Sequence, residues 1–168
     1  KPKAEEVLLV CQRDVLAATL KRLSMFVMRA KVTLTDASGD FQLWGLSGTV
    51  LTQMGVDASA PWLRARVGDA AVGADVLTLY PSQGVPRALC LAPAGDNATA
   101  WLEGHAHLTE SQWQMGDVMS GVAWVSHATF EAFVPQMLNY ESVDGVNFKK
   151  GCYPGQEVVA RSQFRGRS

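Results

Sequence analysis

Residues 6–45, EVLLVCQRDVLAATLKRLSMFVMRAKVTLTDASGDFQLWG, decide how the rest of the chain is read. Glu6 to Gln12 is an apolar run rich in Val and Leu, which predicts a buried strand. Asp14 is placed to cap a helix. From Val15 to Ala30 the apolar positions Val15, Leu16, Leu20, Leu23, Phe26, Val27 and Ala30 recur at three and four, which predicts one buried helical face. Lys31 to Asp36 alternates, Ala37-Ser38-Gly39-Asp40 is turn chemistry, and Phe41 to Gly45 is again extended in pattern, so this pair reads as a hairpin. Strand, helix, strand, strand is the start of a ferredoxin-like arrangement and places the chain in the α+β class.

Working outward, Ser47 to Met54 predicts a short helix capped by Ser47, and residues 55–74 a crossing segment between lobes. Val76 to Tyr80 and Arg87 to Leu91 flank Pro81-Ser82-Gln83-Gly84 and predict a second hairpin, followed by a helix from Asp96 to Glu103. Thr109 with Gln112 three residues on is a capping box, so a helix is expected from Thr109 to Val122. Phe130, Phe133 and Met137 stand at helical spacing between Thr129 and Leu138, with Pro135 interrupting. The divisions expected are a first α+β lobe at 1–54, a second at 55–108, and a closing region at 109–168.

The charge balance limits the partners. Fifteen Lys and Arg against sixteen Asp and Glu leave a net charge of -1, which predicts no stable nucleic-acid binding and no attraction to acidic membranes. Cys11, Cys90 and Cys152 are odd in number and widely separated, so they form neither a disulfide framework nor a metal-ligand pair, and a reducing compartment, the cytoplasm, is expected. Cys11 and Cys90 lie in apolar runs and read as core. No apolar run approaches the roughly 20 residues that span a bilayer, and no signal-peptide pattern opens the chain.

The chemistry concentrates in Lys149-Lys150-Gly151-Cys152-Tyr153-Pro154-Gly155-Gln156-Glu157. Pro154 has the φ of a first helical turn, so a helix is expected to begin beside the thiol and to run from Gly155 to Phe164, with Glu157 and Arg161 as an i, i+4 pair. The helix N-terminus and the two lysines would favour thiolate, the reactive form. The ordinary alternative is a buried structural cysteine. Glu103, His105 and His107 would share a face if extended, but with no further ligand in view no metal site is expected.

These residues carry a resemblance. Phe133-Val134-Pro135-Gln136, Gly145-Val146-Asn147-Phe148 and the run KKGCYPGQEVVARSQFRG resemble the YgfZ family of folate-binding proteins, relatives of the T-protein aminomethyltransferase of the glycine cleavage system. The likeness extends upstream to Phe26-Val27-Met28-Arg29-Ala30-Lys31-Val32. It implies ferredoxin-like lobes ringed around a tetrahydrofolate pocket, with the family's opening segment and C-terminal β-barrel absent here.

The implied function is an accessory role in iron-sulfur cluster assembly or repair, supporting radical enzymes that modify tRNA. The implied partners are a folate and iron-sulfur proteins or their assembly factors. By the same resemblance Cys152 is the functional thiol, with Lys150 and Glu157 beside it. Trp113 stands where the family has a tryptophan implicated in folate binding, Asp117 one turn along would hydrogen-bond the pterin, and Tyr153 and Gln156 complete the candidate folate contacts. Met119 departs from the pattern, standing where relatives often carry a charge. The competing reading is a folate-dependent aminomethyltransferase, against which Cys152 and the missing acid at Met119 both argue. A third is an interaction module without folate chemistry.

Overall fold

The computed structural model describes residues 6–68, 73–95, 104–153 and 155–165. Its elements are α1 (Arg13–Ser24), β1 (Phe41–Ser47), α2 (Val50–Gln53), β2 (Arg64–Val67), β3 (Ala74–Ser82), β4 (Val85–Pro93), α3 (Glu110–Ser120) and α4 (Gln156–Arg165), with 3₁₀ turns at His127–Thr129 and Pro135–Leu138. The chain is α+β, built on a four-stranded antiparallel sheet in the order β1-β4-β3-β2.

The β3–β4 hairpin is the one the sequence predicts, with a tighter turn. Ser82 pairs with Val85, so the loop is Gln83 and Gly84 alone. Both have positive φ, 51° and 80°, the two-residue geometry whose twist matches that of the flanking strands. Alternation then sorts the sheet into two faces. On one, Leu46, Val76, Ala88, Cys90 and Ala92 pack against Val50 and Leu51 of α2 and form the core. On the other, Gly45, Leu79 and Arg87 receive α3. The capping box at the start of α3 is present: the Gln112 N–H donates to Thr109 Oγ1 at 3.2 Å and the Thr109 N–H to Gln112 Oε1 at 2.8 Å.

Several local expectations are corrected. Residues 6–12 form no strand and lie exposed, so Cys11 is not a core residue. Helix α1 ends at Ser24 rather than reaching Ala30, and of its apolar face only Val15 is fully buried. Asp14 does not cap it; the Asp14 carboxylate accepts the His127 N–H at 2.9 Å. Lys31–Asp36 is not a strand either, and β1 takes β4 as its neighbour instead, with Trp44 opposite Cys90. The physical reason is shared: a strand sequence forms a strand only where a ladder partner satisfies its backbone. The short helix has Thr49 rather than Ser47 at its N-cap position, and the Thr49 side chain makes no capping hydrogen bond. Within residues 55–74, Arg64–Val67 is a sheet strand. The helix expected over 129–138 is replaced by the two 3₁₀ turns, as the internal Pro135 requires. The helix placed at 96–103, together with Glu103 and Pro154, lies outside the described residues.

Candidate functional site

The sequence candidates fall into two separate places. The first is built where α3 crosses the sheet. Trp113 lies against the backbone of Gly45: a Cβ there would sit 2.6 to 2.8 Å from three atoms of the indole, so only glycine allows this approach. The Arg87 guanidinium carbon stands 4.1 Å from the centroid of the Trp113 ring, a cation–π contact.

Asp117 is not free to greet a ligand as the sequence reading has it. Arg87 Nη2 donates to Asp117 Oδ1 at 2.6 Å, and the two side chains are only 2% and 10% exposed. The same guanidinium donates to the Trp113 carbonyl at 3.3 Å and to Ser120 Oγ at 3.1 Å. Buried charges persist when paired and hydrogen-bonded, and this pair meets both conditions.

Trp113 divides two concavities. One, of about 470 Å³, is walled by Trp113, Arg87, Leu108, Met115 and Met119. Its neighbour, of about 440 Å³, is bounded by Trp113, Leu43, Thr49, His105 and His107. Both volumes fall in the range of small-molecule sites. Among the described residues, no group of three or more His, Cys, Asp and Glu is disposed to hold a metal ion.

The second place is the cysteine loop, which neither concavity includes. Its approach is anchored on the sheet: Trp62 Nε1 donates to the Val143 carbonyl at 3.0 Å, and the Tyr80 hydroxyl to Asp144 Oδ2 at 2.8 Å. That hydrogen bond pushes the Tyr80 phenol above its ordinary value, with burial and the nearby charge adding to it. Asn147 Oδ1 then accepts the N–H groups of Lys149 at 2.8 Å and Lys150 at 3.2 Å, an Asx turn that bends the chain before the thiol.

Beyond it, the Tyr153 N–H donates to Gln156 Oε1 at 3.3 Å while Gln156 N–H returns a bond to the Tyr153 carbonyl at 3.1 Å. Gly155 takes φ of 83°, a conformation open chiefly to glycine. Cys152 is exposed between these two fixed points. Lys150 Nζ lies 4.4 Å from the Tyr153 ring centroid. Glu157 is exposed on α4 and forms no ion pair with Arg161 among the described residues. Helix α4 is seated on the Pro135–Leu138 turn, where Gln136 Nε2 donates to the Val159 carbonyl at 2.9 Å.

Two groups escape the sequence reading. Arg87 appears there only as the start of an apolar strand, and its sole signal is a charge among the apolar residues of 85–93. Asn147 is quoted there within the family motif, and its cue for the turn is a short polar side chain two residues ahead of Lys149.

No protein-family model matches the chain, and no solved structure matches it. Curated proteins do. The chain is 37% identical over 161 residues to the tRNA-modifying protein YgfZ of Sodalis glossinidius (strain morsitans), covering 92% of this chain and 46% of that protein. It is 35% identical over 161 residues to the protein of that name from Klebsiella pneumoniae (strain 342), and 32% identical over 166 residues to the one from Edwardsiella ictaluri (strain 93-146). The chain thus spans about half the length of the curated relatives it matches, at 46% to 47%. With that identity sustained over 92% of its own length, the chain belongs to the YgfZ family.

Proposed function

We propose that this protein serves tRNA modification, the task in its relatives' name, as a folate-binding accessory of iron-sulfur cluster assembly or repair, with Cys152 as its functional thiol. The observation that carries the reading is an exposed Cys152 held between two hydrogen-bonded turns, Asn147 on one side and Tyr153 with Gln156 on the other. An exposed thiol on a fixed loop ahead of a helix N-terminus is placed to meet a partner's metal or sulfur, whereas a structural cysteine is buried. Lys150, resting near Tyr153, holds a positive charge beside the loop. No membrane is involved in this reading. Among the described residues no helix is long and apolar enough to cross one.

The concavity walled by Trp113, Arg87, Met115 and Met119 suits a tetrahydrofolate ring in size and in its largely apolar walls. The fit differs from a free indole platform, because the Trp113 ring is engaged by Arg87 and Gly45. Arg87 is itself only 2% exposed and is engaged by Asp117, Ser120 and the Trp113 carbonyl, so the pair would hold the Trp113 wall in place, and Met115 and Met119 are the exposed walls that a bound folate would meet. When bound, the folate would supply one-carbon or redox chemistry.

Two measurements test the proposal. Tetrahydrofolate is expected to quench tryptophan fluorescence saturably in the wild type and far less in Trp113→Phe; an unsaturable signal would remove folate from the reading. Cys152→Ser is expected to fail to restore iron-sulfur enzyme activity in cells lacking the family's protein, when the wild-type chain restores it. Equal rescue by both would remove the thiol.

A further inference from the structure

Strand β3 is irregular near its end. Its ladder with β4 runs from Asp75 opposite Leu91 to Leu79 opposite Arg87 and resumes only at Ser82 opposite Val85, which leaves Tyr80 and Pro81 in a break of register. Pro81 brings no N–H to a ladder, and such a break re-aims the side chain beside it. That side chain is Tyr80, whose hydroxyl donates to Asp144 Oδ2 at 2.8 Å, 64 residues further along the chain.

A second donor stands beside it. Trp62 Nε1 donates to the Val143 carbonyl at 3.0 Å, and the Trp62 ring meets that of Tyr80 edge-on, with centroids 6.0 Å apart at 75°. Trp62 holds φ of 63°, in the left-handed region that a bulky side chain rarely adopts. Its N–H donates to the Thr78 carbonyl at 2.8 Å, while the buried Thr78 hydroxyl accepts the Leu63 N–H and donates to the Ala60 carbonyl, each at 2.8 Å. Backbone strain persists only where its surroundings impose it, and it points to a use. On the other side, Asp144 also has positive φ, 57°, and the Gly145 N–H closes back on the Tyr140 carbonyl at 2.7 Å.

Only Gly145 and Val146 separate Asp144 from Asn147, whose side chain shapes the turn before Cys152. We infer that Trp62 and Tyr80 are positioning residues for Cys152, forming a clasp on the sheet that sets where the thiol is presented to a partner. The inference rests on the reading of Cys152 as the functional thiol and adds the distant residues that place it.

The test combines Trp62→Phe with Tyr80→Phe, which keep both rings and remove both donors. A nitroxide is attached to Cys152 in a Cys11→Ser background, with Cys90 buried, and hydrogen exchange is followed on the unlabelled proteins. Asp75→Asn, which weakens the Arg64 and Arg66 ion pairs on the same strand, controls for a general loss of stability. The double variant is expected to give a more mobile label. Its Gly145, Lys149 and Lys150 amides should exchange roughly tenfold faster, the factor that one hydrogen bond of ordinary net strength corresponds to. Asp75→Asn is expected to change neither. An unmoved label in the double variant would overturn the inference, as would equal loosening by Asp75→Asn. In cells lacking the family's protein, the double variant is expected to restore iron-sulfur enzyme activity less well than the wild type, and Asp75→Asn equally well. Full rescue despite a mobile label would overturn the positioning role and leave Cys152 in place, whereas equal rescue by Cys152→Ser would overturn the reading beneath it.

Discussion

Arg87 and Asp117 show how much one pair of residues organises here. The pair is buried at 2% and 10% side-chain exposure, so removing one partner leaves a charge without its counter-ion in the interior. Arg87→Met and Asp117→Leu are each expected to cost about 3–5 kcal/mol in urea unfolding, whereas the two combined are expected to recover most of that loss. The double substitution would free the Trp113 ring from its cation, so its emission should shift even where stability returns. A fully additive double variant would show that the two side chains do not act as a pair. Neither residue announces this role in sequence. Asp117 has the spacing of a helix residue near Trp113 and nothing to say that a strand 30 residues earlier points a guanidinium at it.

At the scale of elements, local signals were readable where the chain satisfies itself. The capping box of α3 needs only residues 109 and 112, and the β3–β4 hairpin only its own turn, so both were legible. The same turn offers a prediction. Gln83 occupies positive φ, 51°, where asparagine is better tolerated, and the pair would become the favoured Asn-Gly. Gln83→Asn is expected to stabilise the protein by about 0.5 kcal/mol in thermal or urea unfolding. A loss of stability would mean that Gln83 has a contact which this geometry does not require. By contrast, residues 6–12 and 31–36 have strand composition and no strand, because a ladder is a contract between two segments and composition describes one. The Cys152 loop stands between these cases. Gly151, Cys152 and Gly155 identified the motif, while the turns that hold it depend on Asn147 and Gln156 side chains reaching particular backbone N–H groups.

For the whole molecule, the three thiols separate the interior from the surface. Burial pushes the Cys90 thiol up to about 11, with the charge of Asp75 adding to it, while Cys11 and Cys152 are exposed. Native protein should therefore lose two thiols promptly to an aromatic disulfide reagent at neutral pH and the third only on unfolding. The alkaline behaviour follows in sign. The folded pKa of Cys90 lies above the ordinary thiol value of 9.0, so the native state binds the proton more tightly than the unfolded chain. Its contribution is complete below pH 9 or so and is lost as pH rises through about 11. Cys90→Ala should flatten that alkaline decline in unfolding experiments, and an unchanged pH profile would assign it to other groups.

The α+β class, the two self-contained signatures of α3 and the β3–β4 hairpin, and the family likeness of the cysteine motif can all be read from the residues alone. These depend on short-range chemistry: which residues accept positive φ, cap a helix or alternate along a strand. That β1 pairs with β4, that Arg87 unites Asp117 with Trp113, and that the Trp113 concavities and the Cys152 loop are separate places follow from long-range packing. Each of these depends on which distant segment arrives as a neighbour. A residue's chemistry states what it can satisfy, and packing chooses the partner.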